Sequence, residues 1–300
     1  MRIILFGRSG QVGGELAPLL EPFGPLAAFD RGQLDLEHAD AIRQVIRRER
    51  PDVVVNAAAY TAVDRAESEP ELARRVNADA VGVMAEEVAR AGGWLVHYST
   101  DYVFDGKKSA GYVETDPTGP LNVYGATKLA GERLVAASGC RHLIFRASWV
   151  YAARGHNFVR TMLRLLADRD HVAVVDDQIG APTSAGRIAR VTAEALRRID
   201  AAAPASGVYH LAAAGATSWH GFAEFIAATA RAGGIDLRVP ADGLRRQPSA
   251  ALSQPARRPA CSLLDTSKLR REFGALLPHW REDAAAILTD LIDKPEATTA

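Results

Sequence analysis

A buried strand that runs straight into a glycine turn and then a helix constrains this chain more than any other feature. Arg2-Ile-Ile-Leu-Phe6 is a short apolar run suited to a parallel strand covered on both faces. Gly7-Arg-Ser-Gly10-Gln-Val-Gly13 follows at once, and a helical pattern continues through Leu20. Glycines let the backbone turn sharply and approach a pyrophosphate, while the free N–H groups and positive end of the next helix favour an anion. The spacing Gly-x-x-Gly-x-x-Gly has one more residue between its first two glycines than the common dinucleotide fingerprint. Taken alone, such a triad is as often a tightly packed turn. Its place directly after a buried strand favours nucleotide binding.

The next units repeat the strand-to-helix rhythm. Leu26-Ala-Ala-Phe-Asp30-Arg31 is a second short strand ending in an acid beside a base. An acid there can hold the adenosine ribose hydroxyls and an Arg can hold a 2′-phosphate, so NADH and NADPH both stay open. Asp35-Leu36 falls where a loop can reach the adenine, although Asp35 can equally cap a helix starting near Glu37. Pro51-Asp-Val-Val-Val-Asn-Ala-Ala-Ala-Tyr60-Thr61 runs from an apolar strand into small residues that leave room for a flat ligand. A long helix is expected from about Pro70 to Ala91, and it contains Asn77 in an apolar-periodic stretch. A buried Asn needs partners, and tying two backbone segments together is the simpler role for it.

Trp94-Leu-Val-His-Tyr98 reads as a fourth strand and ends in Ser99-Thr100-Asp101-Tyr102-Val-Phe104. Ligands of open parallel sheets bind at the carboxyl ends of the strands, so hydroxyls there face a reacting group. Thr100 can donate to a substrate oxygen that gains charge, or can serve with Ser99 as an ordinary turn residue. Tyr124-Gly-Ala-Thr-Lys128 then sets a phenol and an ammonium four residues apart, on one helix face. A free Tyr titrates near about 10, and a neighbouring cation that stabilises its phenolate turns it into a better proton donor. Only five of the 36 basic residues are Lys, so a Lys at this position suggests a need for a compact ammonium. The bland alternative is a packed ring that a Lys covers from solvent.

The second half is less explicit. After the strand His142-Leu-Ile-Phe-Arg146 come Trp149 and Tyr151, flat side chains that suit a sugar or base; for Tyr151 a core position is favoured. Asn157-Phe158 opens a helix through Leu166, and Asp177 to Thr183 is a Gly- and Pro-containing loop able to close over a substrate. Gly207-Val-Tyr-His-Leu211 reads as a strand, and Ser218-Trp-His-Gly-Phe-Ala as a capped helix start. Arg245 to Arg258 is rich in Arg, Pro and Ser without periodicity, which marks a surface loop or a binding loop. The fold class that fits is α/β, a Rossmann-like doubly wound parallel sheet with a smaller C-terminal substrate-binding portion. The division expected is a nucleotide-binding domain over 1–146, to which later segments return, and a substrate portion mainly over 147–300.

Composition narrows the partners. With 36 basic and 36 acidic residues the formal charge is zero, and no basic block invites nucleic acid. No apolar stretch suits a membrane span, and the first apolar run is too short for a signal peptide. Cys140 and Cys261 form neither a metal pattern nor a disulfide framework, which agrees with a cytoplasmic protein. Pro295 to Ala300 reads as a loose tail.

The glycine run, the strand-end Ser-Thr-Asp and the Tyr-x-x-x-Lys resemble the extended short-chain dehydrogenase/reductase superfamily. Longer runs are more specific: Asn56-Ala-Ala-Ala-Tyr-Thr-Ala-Val-Asp-Arg-Ala-Glu67, His97-Tyr-Ser-Thr-Asp-Tyr-Val-Phe104, Leu121-Asn-Val-Tyr-Gly125, Phe145-Arg-Ala-Ser-Trp-Val-Tyr151 and Asp177-Gln-Ile-Gly-Ala-Pro-Thr183. Over almost the whole chain these are similar to the dTDP-4-dehydrorhamnose reductase family. The resemblance implies NADPH- or NADH-dependent reduction of the C4 ketone of a dTDP-4-keto-6-deoxy sugar, the last step of dTDP-L-rhamnose synthesis for surface polysaccharide such as O antigen. It makes Tyr124 the proton donor, Lys128 its partner and a contact to the nicotinamide ribose, and Thr100 the hydroxyl beside the ketone. Along the cofactor it implies Gly7, Gly10, Gln11, Val12, Gly13, Asp30, Arg31, Asp35, Leu36, Ala59, Tyr60, Thr61 and Tyr98. Thr100, Asp101, Tyr102 and Trp149 would meet the sugar nucleotide, and Arg258 its diphosphate. The resemblance also raises a homodimer and Mg²⁺, with Glu15 and Asp290 as candidate ligands. Gly186, Arg187 and Arg190 stand where a further acid would be useful, which counts against a metal bridge. Two other functions share the fold: an epimerase or dehydratase that returns its hydride, and a non-catalytic regulatory subunit.

Overall fold

The computed structural model describes residues 1–202 and 206–293; the tail expected at Pro295–Ala300 lies outside them. β1 (Ile3–Phe6) passes through the glycine turn into α1 (Gln11–Leu20), then β2 (Leu26–Phe29), α2 (Ala39–Glu49) and β3 (Val53–Asn56). Two short helices follow, α3 (Val63–Ala66) and α4 (Pro70–Arg74), and a π turn over Arg75–Asp79 leads into α5 (Ala80–Ala91). β4 (Trp94–Thr100), α6 (Val123–Ala137) and β5 (Arg141–Ala147) complete the first half. The second half runs β6 (Val150–Tyr151), α7 (Phe158–Asp168), β7 (Val172–Val175), β8 (Ile179–Gly180), β9 (Thr183–Ser184) and α8 (Ala185–Ala202). It ends with β10 (Gly207–Leu211), β11 (Thr217–Ser218), α9 (Trp219–Ala232), β12 (Leu244–Gln247), α10 (Ser267–Phe273) and α11 (Trp280–Asp293).

Six strands form one wholly parallel sheet in the order β10-β5-β4-β3-β1-β2. From β1 the chain goes to one side for β2 and to the other for β3, so the order reverses there. At that reversal the helices leave opposite faces and open a crevice at the carboxyl ends of the strands. Continuous apolar runs such as Ile3–Phe6 and Val53–Val55 are buried on both faces, as a parallel sheet requires. One core joins the sheet to α1, α8 and the segment around Leu269 and Phe273; the other joins it to α2 and α5. A third core, from Tyr151 through Phe222 to Leu291, gathers α7, α9 and α11 away from the sheet. Tyr151 is part of that core, only 1% exposed.

Three expectations change. The helix over Pro70–Ala91 is not uniformly α, because it widens into the π turn that carries Asn77. The stretch 245–258 is not loop throughout: its start is strand β12, which pairs in parallel with β7, and Arg246 reaches Asp176 at 2.9 Å. The 177–183 segment is stapled rather than free to close. Ile179 N–H donates to the Ala260 carbonyl and its own carbonyl accepts from Ser262, both at 2.8 Å, while Gly180 pairs with Thr217. Tertiary hydrogen bonds from distant segments override weak local periodicity at these places.

Candidate active site

The site begins where β1 ends. Gly7 has φ of +85°, and a Cβ on it would lie 2.7 Å from the Ala58 nitrogen. A Cβ on Gly13 would sit 2.0 Å from the Gly7 carbonyl oxygen, so only glycine lets α1 close against the turn. The N-cap of α1 is Gly10, without a side-chain cap, and no acid occupies the first turn. The N–H groups there have no partner within the helix and face the crevice. Gln11 adds a buried Oε1 without a hydrogen bond at the same place. A pyrophosphate accepts from the free N–H groups, though it does not answer the Gln11 oxygen, and the cradle therefore fits a dinucleotide.

The crevice has a volume of about 940 Å³. Of the residues expected along the cofactor, Gly7, Gly10, Gln11, Val12, Asp30, Arg31, Asp35, Leu36, Ala59, Tyr60, Thr61 and Tyr98 line it. Gly13 packs beneath the turn instead, against Gly7. At the adenosine end, Asp30 Oδ1 accepts the Gln33 N–H at 3.1 Å, and Arg31 reaches Asp35 at 3.2 Å and Glu37 at 3.4 Å. Asp35 does not cap α2, whose N-cap is His38; it accepts the Glu37 N–H in the preceding turn, the main reason its carboxyl is held below the usual range. Asn77 plays the tying role expected of it: it accepts the Tyr60 N–H at 2.8 Å and donates to the Tyr60 carbonyl at 3.0 Å and to Thr127 at 3.2 Å.

At the carboxyl end of β4 the chemistry converges. Thr100 Oγ1 donates to Asp101 Oδ1 at 3.0 Å and accepts the Tyr102 N–H at 3.2 Å. Thr100 also acts on the Tyr124 phenol, in the sense of a hydroxyl that favours the phenolate. Burial pushes this phenol up to about 12, Thr100 pulls it back, and the Asp101 charge adds to the rise. Asp101 is itself buried and pushed up to about 6 by loss of solvent, against hydrogen bonds from Ser262, Thr100 and Ser148. Tyr102 meets Tyr124 edge to face, with ring centroids 5.9 Å apart.

Lys128 is placed differently from the expectation that it stabilises the Tyr124 phenolate directly. Its Nζ donates to the Tyr98 carbonyl at 2.5 Å and lies 3.4 Å from His97 Nε2. Sharing a helix face brings the two Cα atoms together, but the long stem of the Lys runs back towards β4. Burial pulls its ammonium down to about 8, partly offset by Glu132.

The sugar end is aromatic. Trp149 holds a left-handed backbone, φ +47°, and its ring is stacked on Trp219 with centroids 3.5 Å apart and planes 4° off parallel. A Cβ on Gly180 would strike the same ring at 2.3 Å, so Trp149 is held on both sides. Arg258 does not line the crevice: it is paired with Asp64 at 2.8 Å and also contacts Tyr102. That pairing answers the charge expected to be free for a diphosphate. Trp219, Gly155, His156 and Ile188 also line the crevice and were not foreseen. Trp219 looked like one residue of a capped helix, and no local pattern marks a partner 70 positions from Trp149.

A Mg²⁺ site does not fit these residues. Glu15 is paired with Arg154 at 3.0 Å, and Arg187 holds Asp283 at 2.8 Å. Among the described residues no group of three His, Cys, Asp or Glu gathers to hold a metal.

A parallel sheet in this order, with a glycine cradle at its reversal and a Tyr–Lys helix beside the fourth strand, defines the short-chain dehydrogenase/reductase class. Comparison with known proteins is narrower. The family model described as RmlD substrate binding domain matches residues 1–292. A dTDP-4-dehydrorhamnose reductase of Burkholderia thailandensis is 50% identical, covering 98% of this chain and 100% of its own; one of Escherichia coli K12 is 46% identical, with 97% and 98% covered. The crystal structure of a dTDP-4-dehydrorhamnose reductase from Bacillus anthracis in complex with NADP has a TM-score of 0.87 at 34% identity, covering 96% of this chain and 99% of that one. The chain belongs to the dTDP-4-dehydrorhamnose reductase family.

Proposed function

We propose that this protein reduces the C4 ketone of dTDP-4-dehydro-β-L-rhamnose to dTDP-β-L-rhamnose with NADPH or NADH. The observation that carries the reading is the meeting of Tyr124 and Thr100 at the mouth of β4, within the crevice whose other end is the uncapped start of α1. Bound reduced nicotinamide supplies the hydride. The other steps belong to the chain's own side chains. Tyr124 holds the proton that the ketone oxygen takes, a positioned transfer worth about two to four orders of magnitude. Thr100 lines the crevice with that phenol, and turning its hydroxyl away from Asp101 lets it donate to the same oxygen. Lys128 presents an N–H to the cofactor ribose from its seat on Tyr98, while the Trp149–Trp219 pair offers a rigid wall for the sugar nucleotide. The division of labour between residues 1–146 and 147–300 is part of this reading, with β10 and α8 returning to the first portion. So is a cytoplasmic place as the last step supplying dTDP-L-rhamnose for surface polysaccharide.

The test is loss of reduced-nicotinamide absorbance from NADPH and NADH on fresh dTDP-4-dehydro-L-rhamnose, matched against dTDP-L-rhamnose formed. Stoichiometric agreement is expected. Folded protein that binds cofactor yet consumes none of it would sink the reductase reading, and sugar isomerised without net consumption would point to an epimerase.

A further inference from the structure

Asn56, His97 and Lys128 form a buried line from β3 through β4 to α6, with exposures of 1%, 0% and 2%. The Asn56 amide is oriented by its own turn. Its Oδ1 accepts the Ala58 N–H at 3.1 Å, which leaves its NH₂ end facing His97 Nδ1 at 3.2 Å. An amide NH₂ only donates, so Nδ1 must accept and carries no proton. Burial, helped by the Lys128 charge, keeps the ring neutral by pushing it well below the ordinary imidazole range. A neutral ring with a bare Nδ1 has its proton on Nε2, and Nε2 is 3.4 Å from Lys128 Nζ. An ammonium has no acceptor to offer that N–H, whereas a neutral amine has a lone pair.

We propose that Asn56 locks His97 as the Nε2–H tautomer, and that His97 is thereby a positioning residue favouring the neutral amine of Lys128. Other groups around the amine pull both ways. The Tyr98 carbonyl at 2.5 Å favours the ammonium, and so does Glu132 one turn further along α6. Glu132 is largely satisfied elsewhere, because Arg146 of β5 grips it through Nε at 2.9 Å and Nη2 at 2.7 Å. Tyr124, one turn earlier, keeps its proton at neutral pH, and the Asp101 carboxyl acts on Tyr124. Burial of Lys128 adds to the push from His97. The consequence is a lysine that can lose its proton within the working range instead of a fixed cation, and this consequence rests on the reductase reading above.

The first measurement needs no turnover. Long-range ¹H–¹⁵N spectra of the full-length, histidine-labelled protein, with the His97 ring assigned through its side-chain carbons, should show an unprotonated Nδ1 and a protonated Nε2 throughout neutral and mildly alkaline pH. A protonated Nδ1, or an imidazolium, overturns the proposal. The second is the pH profile of kcat/KM for His97→Gln, whose amide can turn its oxygen to the ammonium. Its basic limb should move up by roughly one pH unit. A limb that stays in place, in a variant with a native melting curve, overturns the link to Lys128. A wild-type protein inactive on the keto sugar would instead sink the reductase reading, with the tautomer measurement still decisive for the Asn56–His97 lock.

Discussion

At the scale of single residues, the site turns on Tyr124, Thr100 and Asp101 at the end of β4. Thr100 donates to Asp101 at 3.0 Å and holds the Tyr124 phenol down against the rise that burial imposes. Tyr124→Phe should therefore keep the fold and NADPH affinity while turnover falls by about two to four orders of magnitude; steady-state kinetics beside a cofactor titration checks both halves. Lys128 makes a prediction of opposite sign for stability. Its value falls from 10.5 to about 8 on burial, so its contribution to stability is present above the unfolded value and lost as pH falls through the folded one. At pH 7 the buried charge costs roughly 1–3 kcal/mol. Lys128→Met should then melt higher than wild type at pH 7, with the gap closing towards pH 10, and should lose most turnover. A variant that melts lower at pH 7 would contradict the sign. Tyr124, Lys128 and Thr100 were legible from spacing and strand-end position, because chemistry-bearing residues at a fixed offset on one helix are a local pattern. The direction taken by the Lys128 side chain was not, since it depends on a carbonyl of β4 and a ring held by β3.

At the scale of elements, the glycine turn and α1 act as one part. Gly13→Ala would press a methyl into the Gly7 carbonyl, the atom that shapes the phosphate cradle. Cofactor binding should weaken roughly tenfold or more, with secondary structure intact by circular dichroism, because the turn must shift to admit the methyl. Unaltered affinity would mean that the cradle tolerates the shift. The same scale shows why element boundaries were read well in some places and missed in others. Helix starts with side-chain caps were clear in the sequence, as at Asn157 and Ser218, whose oxygens accept N–H groups three residues on. The π turn was not, since Asn77 looks like any polar residue of a helix until its amide is seen bridging Tyr60 and Thr127. β12 was missed because Leu244–Gln247 has no alternation of its own and is held as a strand by pairing with β7.

At the scale of the whole molecule, the crevice lies between the sheet and the outlying core of α7, α9 and α11, so ligands bridge parts that fold around separate apolar centres. NADPH at about 100 times its Kd should add about 2.7 kcal/mol to stability and raise the melting temperature by about 5 °C. A thermal-shift series with NADPH and NADH ranks the two cofactors without turnover, and no shift with either would mean that the cradle does not bind a dinucleotide. The sequence by itself determined the strand, glycine turn and helix, the succession of apolar strands and the Tyr–Lys pair, because each shows as a pattern among residues a few positions apart. Only the tertiary structure decided that Trp149 is clamped between Trp219 and Gly180, that Arg258 is paired with Asp64, and that Lys128 turns towards His97. Those pairings join residues tens to nearly two hundred positions apart, and packing rather than local preference selects them.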